Sequence, residues 1–213
     1  MRVINLILIL SMIATSYADN PLLSKYQTPY ETIPFHLIQN EHYLPAFKEA
    51  MKIHLAEIDA IVSNQEVPGF ENTIVALERS GSLLTRVSSP FYNMLSAETN
   101  DKFQQIAEQV SPLMSEHSNA IRLNEKLFAK VKAVYDQKDQ LQLNTEETRL
   151  LQDTYDSFAD NGANLSDGDK AVYRELSKEL SLLTLQFGQN VLKETNNWSK
   201  LITDKNLLSG LPQ

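Results

Sequence analysis

Cysteine is absent from the 213 residues, which excludes a disulfide scaffold, a thiol nucleophile and any Cys-ligated zinc site. Glycine occurs six times and proline eight, too few for a turn-rich β-sandwich and consistent with long helices. Basic residues are scarce as well: 19 Lys and Arg face 27 Asp and Glu, for a net charge of -8. Such a balance argues against a nucleic-acid partner, because that affinity comes mainly from neutralising phosphates. A membrane span is missing too, since the one strongly apolar run, Val3 to Ala14, falls short of the roughly 20 residues that crossing a bilayer needs. What is present is a chain 42% hydrophobic and 22% charged, too apolar for a disordered segment. At this length a folded chain hides roughly 70% of its unfolded surface, so one ordinary domain can form without staples.

The apolar run follows Met1-Arg2, is interrupted only by Asn5 and Ser11, and gives way to Ser16-Tyr17-Ala18 before Asp19. One positive charge, a short apolar stretch and a small-x-small site make the pattern of a secretory signal peptide. The expectation is a leader over residues 1–18, cleaved after Ala18, with export to a periplasmic compartment. With no cysteine after the run, a bacterial lipid anchor is excluded, and the lack of cysteine suits an oxidising location.

Residues 19–40 carry Pro21, Pro29 and Pro34 and read as an extended arm. Leu22, Leu23, Tyr26, Phe35, Leu37 and Ile38 would lay it against the body. Residues 41–213 read as a helical domain. Leu44, Phe47, Met51, Leu55, Ile58 and Val62 recur at steps of three or four, one face of a helix. Pro45 suits its first turn, and Pro68-Gly69 follow its end near Asn64. Phe70 to Arg79 makes a short helix stopped by Ser80-Gly81. Leu83 to Leu95 makes the next, with a kink or break expected at Pro90. Asn100 caps a helix with Phe103, Ile106, Val110, Leu113, His117 and Ile121 inward and a bend at Pro112. Asn124 caps one carrying Leu127, Phe128, Val131 and Val134, followed by a polar loop from Asp136 to Gln142. Asn144 with Glu147 is a capping-box start for a helix ending near Ala159. Ser166 with Asp169 opens the longest, with Val172, Leu176, Leu180, Leu183, Phe187 and Val191 on one face. Leu201 to Gln213 is a weakly patterned tail. No segment alternates with period two, so the expected fold is all-α, an antiparallel helical bundle.

Chemistry-bearing patterns are sparse. A zinc helix of the H-E-x-x-H kind sets two histidines four apart on one face, and none of His36, His42, His54 and His117 has such a partner. Glu57 follows His54 by three and offers a carboxylate–imidazole pair, against the plainer reading of a solvated helix edge. His117 lies on an apolar stripe and reads as a hydrogen-bonded core residue. Gly81-Ser82 lacks the second glycine and the preceding strand of a nucleophile elbow and reads as a helix–helix joint. Glu146-Glu147 and Asp167 with Asp169 stand at helix starts, where negative charge stabilises free N–H groups. Trp198, Phe91, Tyr92, Phe158 and Tyr173 could line a groove, but their helical spacing fits core. By themselves the residues describe an exported helical domain without a recognisable active site.

A collinear series of strings adds a resemblance. Glu41-His42-Tyr43-Leu44-Pro45-Ala46-Phe47 is followed by Phe70-Glu71-Asn72-Thr73-Ile74 and Ala76-Leu77-Glu78-Arg79-Ser80-Gly81. Then come Leu83-Leu84-Thr85-Arg86-Val87, Thr99-Asn100-Asp101 and Leu123-Asn124-Glu125-Lys126-Leu127-Phe128, with Gly162-Ala163-Asn164-Leu165 and Phe187 to Asn196 last. From about Asn20 to Pro212 the chain resembles the N-terminal region of the thimet oligopeptidase family of zinc metallopeptidases, its peptidyl-dipeptidase branch first and its oligopeptidase A branch next. The resemblance implies an almost wholly helical fold and cleavage of short unfolded peptides, with C-terminal dipeptides released in the first branch. The family's zinc is held by an H-E-x-x-H helix and a later glutamate, far downstream of the matched region, and that helix's glutamate is general base toward the metal-bound water. No catalytic residue and no metal ligand is therefore carried over, zinc is not expected to bind this chain, and substrate-binding residues stay unassigned. The expectation is a monomeric N-terminal piece of an exported peptidase, one wall of a deep cleft, with the catalytic domain absent. The competing reading is a self-sufficient helical module that binds peptides or a partner protein. The two differ in surface, since a wall of a larger fold leaves unburied apolar patches.

Overall fold

A computed structural model describes residues 20–210. The expected leader lies outside them, as does the end of the tail. Residues 20–39 run as turns and two short 3-10 turns, Pro29–Glu31 and Phe35–Leu37. Asn20 anchors this arm: its side-chain amide donates to the His42 carbonyl at 2.8 Å while its oxygen accepts the Leu22 N–H at 3.0 Å. Leu22 and Tyr26 are buried and Leu23 and Ile38 pack half-buried against the core, whereas Phe35 and Leu37 are exposed, so the arm docks as expected except at those two residues.

Seven α-helices follow among the described residues. Helix α1, Asn40–Ser63, starts earlier than its apolar period does, so Pro45 falls in the second turn rather than the first. Phe70–Val75 is a π-helical turn that runs into α2, Ala76–Arg79, in place of the plain short helix the period implies. Helix α3, Ser82–Ala97, is continuous through Pro90, so of the kink or break expected there the break is absent. Helix α4, Asp101–Arg122, contains Pro112. Helices α5, Glu125–Tyr135, α6, Thr145–Asp160, and α7, Asp167–Asn197, complete the bundle. Among the described residues there is no strand, and the all-α bundle stands.

The caps explain why these helices start where they do. Asn100 accepts the Phe103 N–H and Asn124 the Leu127 N–H, both at 3.0 Å, each satisfying one of the donors a helix start leaves free. Asn144 and Glu147 form the reciprocal box, each accepting the other's N–H at 2.9 Å. At the head of α7 Ser166 accepts the Asp169 N–H at 3.2 Å. The polar stretch after α5 holds a 3-10 turn, Lys138–Gln140.

Two apolar clusters form the core. The first joins Leu22 of the arm, Tyr43, Phe47 and Met51 of α1, Leu84, Val87 and Phe91 of α3, and Phe103, Ala107 and Val110 of α4. Phe91 sits at its centre, stacked on Phe103 at 4.8 Å between ring centroids and edge-on to Phe47 at 5.2 Å, geometries that add to the gain from burial. The second cluster joins Ile58 and Ile61 of α1, Ile74 of the π turn, Leu127, Phe128, Val131 and Val134 of α5, and Leu151 and Phe158 of α6. Helix α1 therefore serves both clusters, changing over between Met51 and Ile58. Helix α4 does likewise, with Val110 in the first and Ile121 against the second.

Helix α7 packs differently. Its inward side carries Lys170, Tyr173, Ser177, Ser181, Leu185 and Gln189, all buried or half-buried. The contacts made there are largely polar: Ser111 donates to the Ser181 carbonyl at 3.1 Å, Lys178 pairs with Glu116 at 2.8 Å, and the buried Lys170 ammonium pairs with Glu125 at 2.6 Å. The six apolar residues of the predicted stripe do share a face, and that face points away from the bundle, with Leu180 64% and Phe187 70% exposed.

Candidate functional site

Two features of this architecture exceed what a stable bundle needs. One is a polar node at the changeover between the clusters, built from α1, α4 and the α2–α3 joint. His54 Nε2 lies 3.1 Å from Ser80 Oγ, and His54 Nδ1 lies 2.9 Å from His117 Nε2. Ser80 itself donates to the Leu77 carbonyl at 2.6 Å, so it accepts from His54. The order of donors then sets both rings: His54 carries its proton on Nε2, and His117 donates from Nε2 to His54 Nδ1. His117 Nδ1 is left as a buried lone pair without a partner. Burial pulls the His117 pKa from 6.5 down to about 4, with the neighbouring His54 acting in the same direction. Burial also lowers His54, against an opposing pull from Glu57. Both rings are thus neutral at pH 7.

Glu57, one turn along α1 from His54, accepts the Gly81 N–H at 2.7 Å. The two side chains hold the joint from one side. Gly81 has φ +71, and a Cβ there would fall 2.6 Å from His54 Cε1 and 2.7 Å from Nδ1. Only glycine meets both the left-handed backbone and the space. The joint expected at Gly81-Ser82 is present, while His54 and Glu57 are not the solvated edge that spacing alone suggests. Neither is a metal pair. His54 uses both nitrogens within the node, Glu57 is committed to Gly81, and His42 Nδ1 accepts the Gln39 N–H at 3.1 Å. Among the described residues no three His, Asp or Glu side chains converge as a metal site. The donors present do not fit a zinc centre.

The second feature is the outward face of α7. Val172, Leu176, Leu180, Leu183, Phe187 and Val191 follow 4-4-3-4-4 spacing, so the last three repeat the first three eleven residues on. An eleven-residue repeat gives 3.67 residues per turn and keeps a stripe on one side of a nearly straight helix. From Val172 to Val191 it runs about 28 Å. Next to it α3, α4 and α7 enclose a crevice of about 330 Å³ whose walls include Leu95, Thr99, Leu185, Gly188, Gln189 and Leu192. Two buried polar atoms there, Thr99 Oγ1 and Gln189 Nε2, have no hydrogen-bond partner.

The aromatic residues do not make one groove. Phe91 belongs to the first cluster and Phe158 to the second, Tyr173 is half-buried under α7, Tyr92 is exposed, and Trp198 stands in solvent past the end of α7. Glu147 and Asp169 act as cap partners, as their positions imply. The node was not visible in the sequence, because His54 and His117 are 63 positions apart and only the fold joins them. The eleven-residue spacing was visible, although nothing in it says which way the stripe faces.

No family model matches the chain. By sequence it is nonetheless similar to proteins named dipeptidyl carboxypeptidase and oligopeptidase A, in line with the resemblance carried by the motif series. It is 42% identical over 91% of its length to the dipeptidyl carboxypeptidase of Escherichia coli and 40% identical over the same share to that of Salmonella typhimurium. With oligopeptidase A of Salmonella typhimurium the identity is 30%, again over 91% of the chain. In each case the chain spans only 28% of the relative's length. Among the described residues no helix is long and apolar enough to cross a membrane.

Proposed function

We propose that this chain forms part of the cleft wall of an exported zinc peptidase that hydrolyses short unfolded peptides and releases dipeptides from their C-termini. The observation that carries this reading is the gradient of identity, 42% toward dipeptidyl carboxypeptidase against 30% toward oligopeptidase A, over 91% of the chain. The outward stripe of α7 supports it, since a wall of a larger fold leaves apolar surface that a free-standing domain would bury. The signal-type leader supports export. The wall acts by steric selection, while zinc and its ligands belong to residues this sequence does not contain. In this reading the protein works as a monomer, without nucleic acid.

The test is a chimera in which residues 20–210 replace the matching segment of the Escherichia coli dipeptidyl carboxypeptidase. Release of C-terminal dipeptides from an N-terminally blocked peptide, abolished by a chelator, is the expected result. A folded chimera with endopeptidase cleavage only, or none, would overturn the reading. A second reading, a peptide-binding module without catalysis, draws on the crevice with its two unpartnered polar atoms. Saturable binding of short peptides by the isolated chain would favour it.

A further inference from the structure

The thirteen residues from Leu180 to Leu192 contain no charged side chain, although Leu180, Leu182, Leu183, Phe187, Val191 and Leu192 are all exposed. A helix resting on a protein surface carries charge on its outward side, whereas one that is apolar on several sides is enclosed. Helix α7 reverses the usual order, turning serines, a tyrosine, a lysine and a glutamine toward its own bundle and, Leu185 apart, most of its large apolar residues toward solvent. The six-residue stripe exposes roughly 600 Å² of side chain, at the upper end for the largest patch on a monomer. That is close to the ~800 Å² each partner contributes to a stable interface.

The geometry points to α7 as a seam helix, whose outward face is covered by an apolar helical surface belonging to the part of a peptidase-length polypeptide beyond the 28% of the relatives that this chain spans. This inference rests on the peptidase reading above and adds to it the surface by which the wall is joined to the rest. A second copy of the chain is the poorer occupant. Two identical straight helices touch along one line, and that would leave Leu182, on the other flank of α7, in water. The uncovered length of the relatives supplies enough chain to enclose both flanks.

With no cysteine in the chain, single Leu180→Cys, Leu183→Cys and Phe187→Cys variants report the face directly, and Tyr30→Cys, at a side chain 99% exposed, is the control. Maleimide labelling, read by peptide mass mapping, compares the isolated chain with the chimera described above. In the isolated chain the three α7 sites should label as fast as the control. In the chimera they should be slowed at least ~10-fold while the control is unchanged. Equal labelling in both, or a chimera that fails to assemble, overturns the inference. So does protection in the isolated chain that grows with its concentration, which would assign the face to a second copy. An active chimera with α7 open to label sinks the docking surface and leaves the peptidase reading intact. A protected but inactive chimera does the reverse.

Discussion

Replacing Gly81 with alanine tests the joint on which α1, α2 and α3 converge. The backbone there has φ +71, where a Cβ costs about 1–2 kcal/mol. The methyl would also fall 2.6, 2.7 and 3.0 Å from three atoms of the His54 ring, and a ring wedged between Ser80 and His117 cannot yield without losing both hydrogen bonds. At about 1 kcal/mol net for each, Gly81→Ala should destabilise the fold by about 3–4 kcal/mol. In a His54→Ala background the ring is gone and only the backbone strain of about 1–2 kcal/mol remains. The cycle therefore has a coupling of about 2 kcal/mol, inside the range seen for residues in contact. Urea unfolding followed by the helical far-ultraviolet signal gives all four stabilities. The single variant should lower the midpoint by about 1–2 M, and the double variant should sit only about 0.5–1 M below His54→Ala alone. If Gly81→Ala costs the same in both backgrounds, the ring does not define the joint and the account of the node is wrong.

Two further outcomes follow from the same structure. Because His117 is held near 4 in the folded chain against 6.5 when free, the unfolded chain binds more protons between those values. Stability should then rise with pH from about 4 to 6.5 and level off above it. Urea midpoints across that window should flatten in His117→Gln, and an unchanged slope would remove the node as its source. Asn144→Ala breaks the reciprocal cap of α6 and should cost about 1 kcal/mol, whereas Asn144→Asp, which still accepts the Glu147 N–H, should cost less.

Much of the fold was legible because its determinants are local. Asn100, Asn124, Asn144 and Ser166 cap helices where the sequence places them, since a cap depends on one side chain and an N–H three residues on. The inward stripes of α4 and α5 were legible for a similar reason, as Phe103, Val110, Leu127 and Val131 recur at helical period and are buried. Proline was less informative. Pro90 passes inside α3, because packing of Val87 and Phe91 into the core outweighs the lost hydrogen bond, and tertiary burial of this kind lies outside local propensity.

The sequence by itself determined the helical class, the capped starts of α4 to α7, the absence of a cysteine or local zinc motif, and similarity to the oligopeptidases, because each of these resides in residue identity and short spacing. Tertiary structure decided which way the stripes point and which distant side chains meet. Hydrophobic period marks a face without naming its partner, so Val110 and Phe187 look alike in sequence while one is sealed in the core and the other stands in water. Likewise His54 and His117 acquire a shared proton order only when α1 and α4 cross at the boundary between two apolar clusters. Direction and meeting are set by competition among whole surfaces for burial, and on α7 the bundle took the polar side.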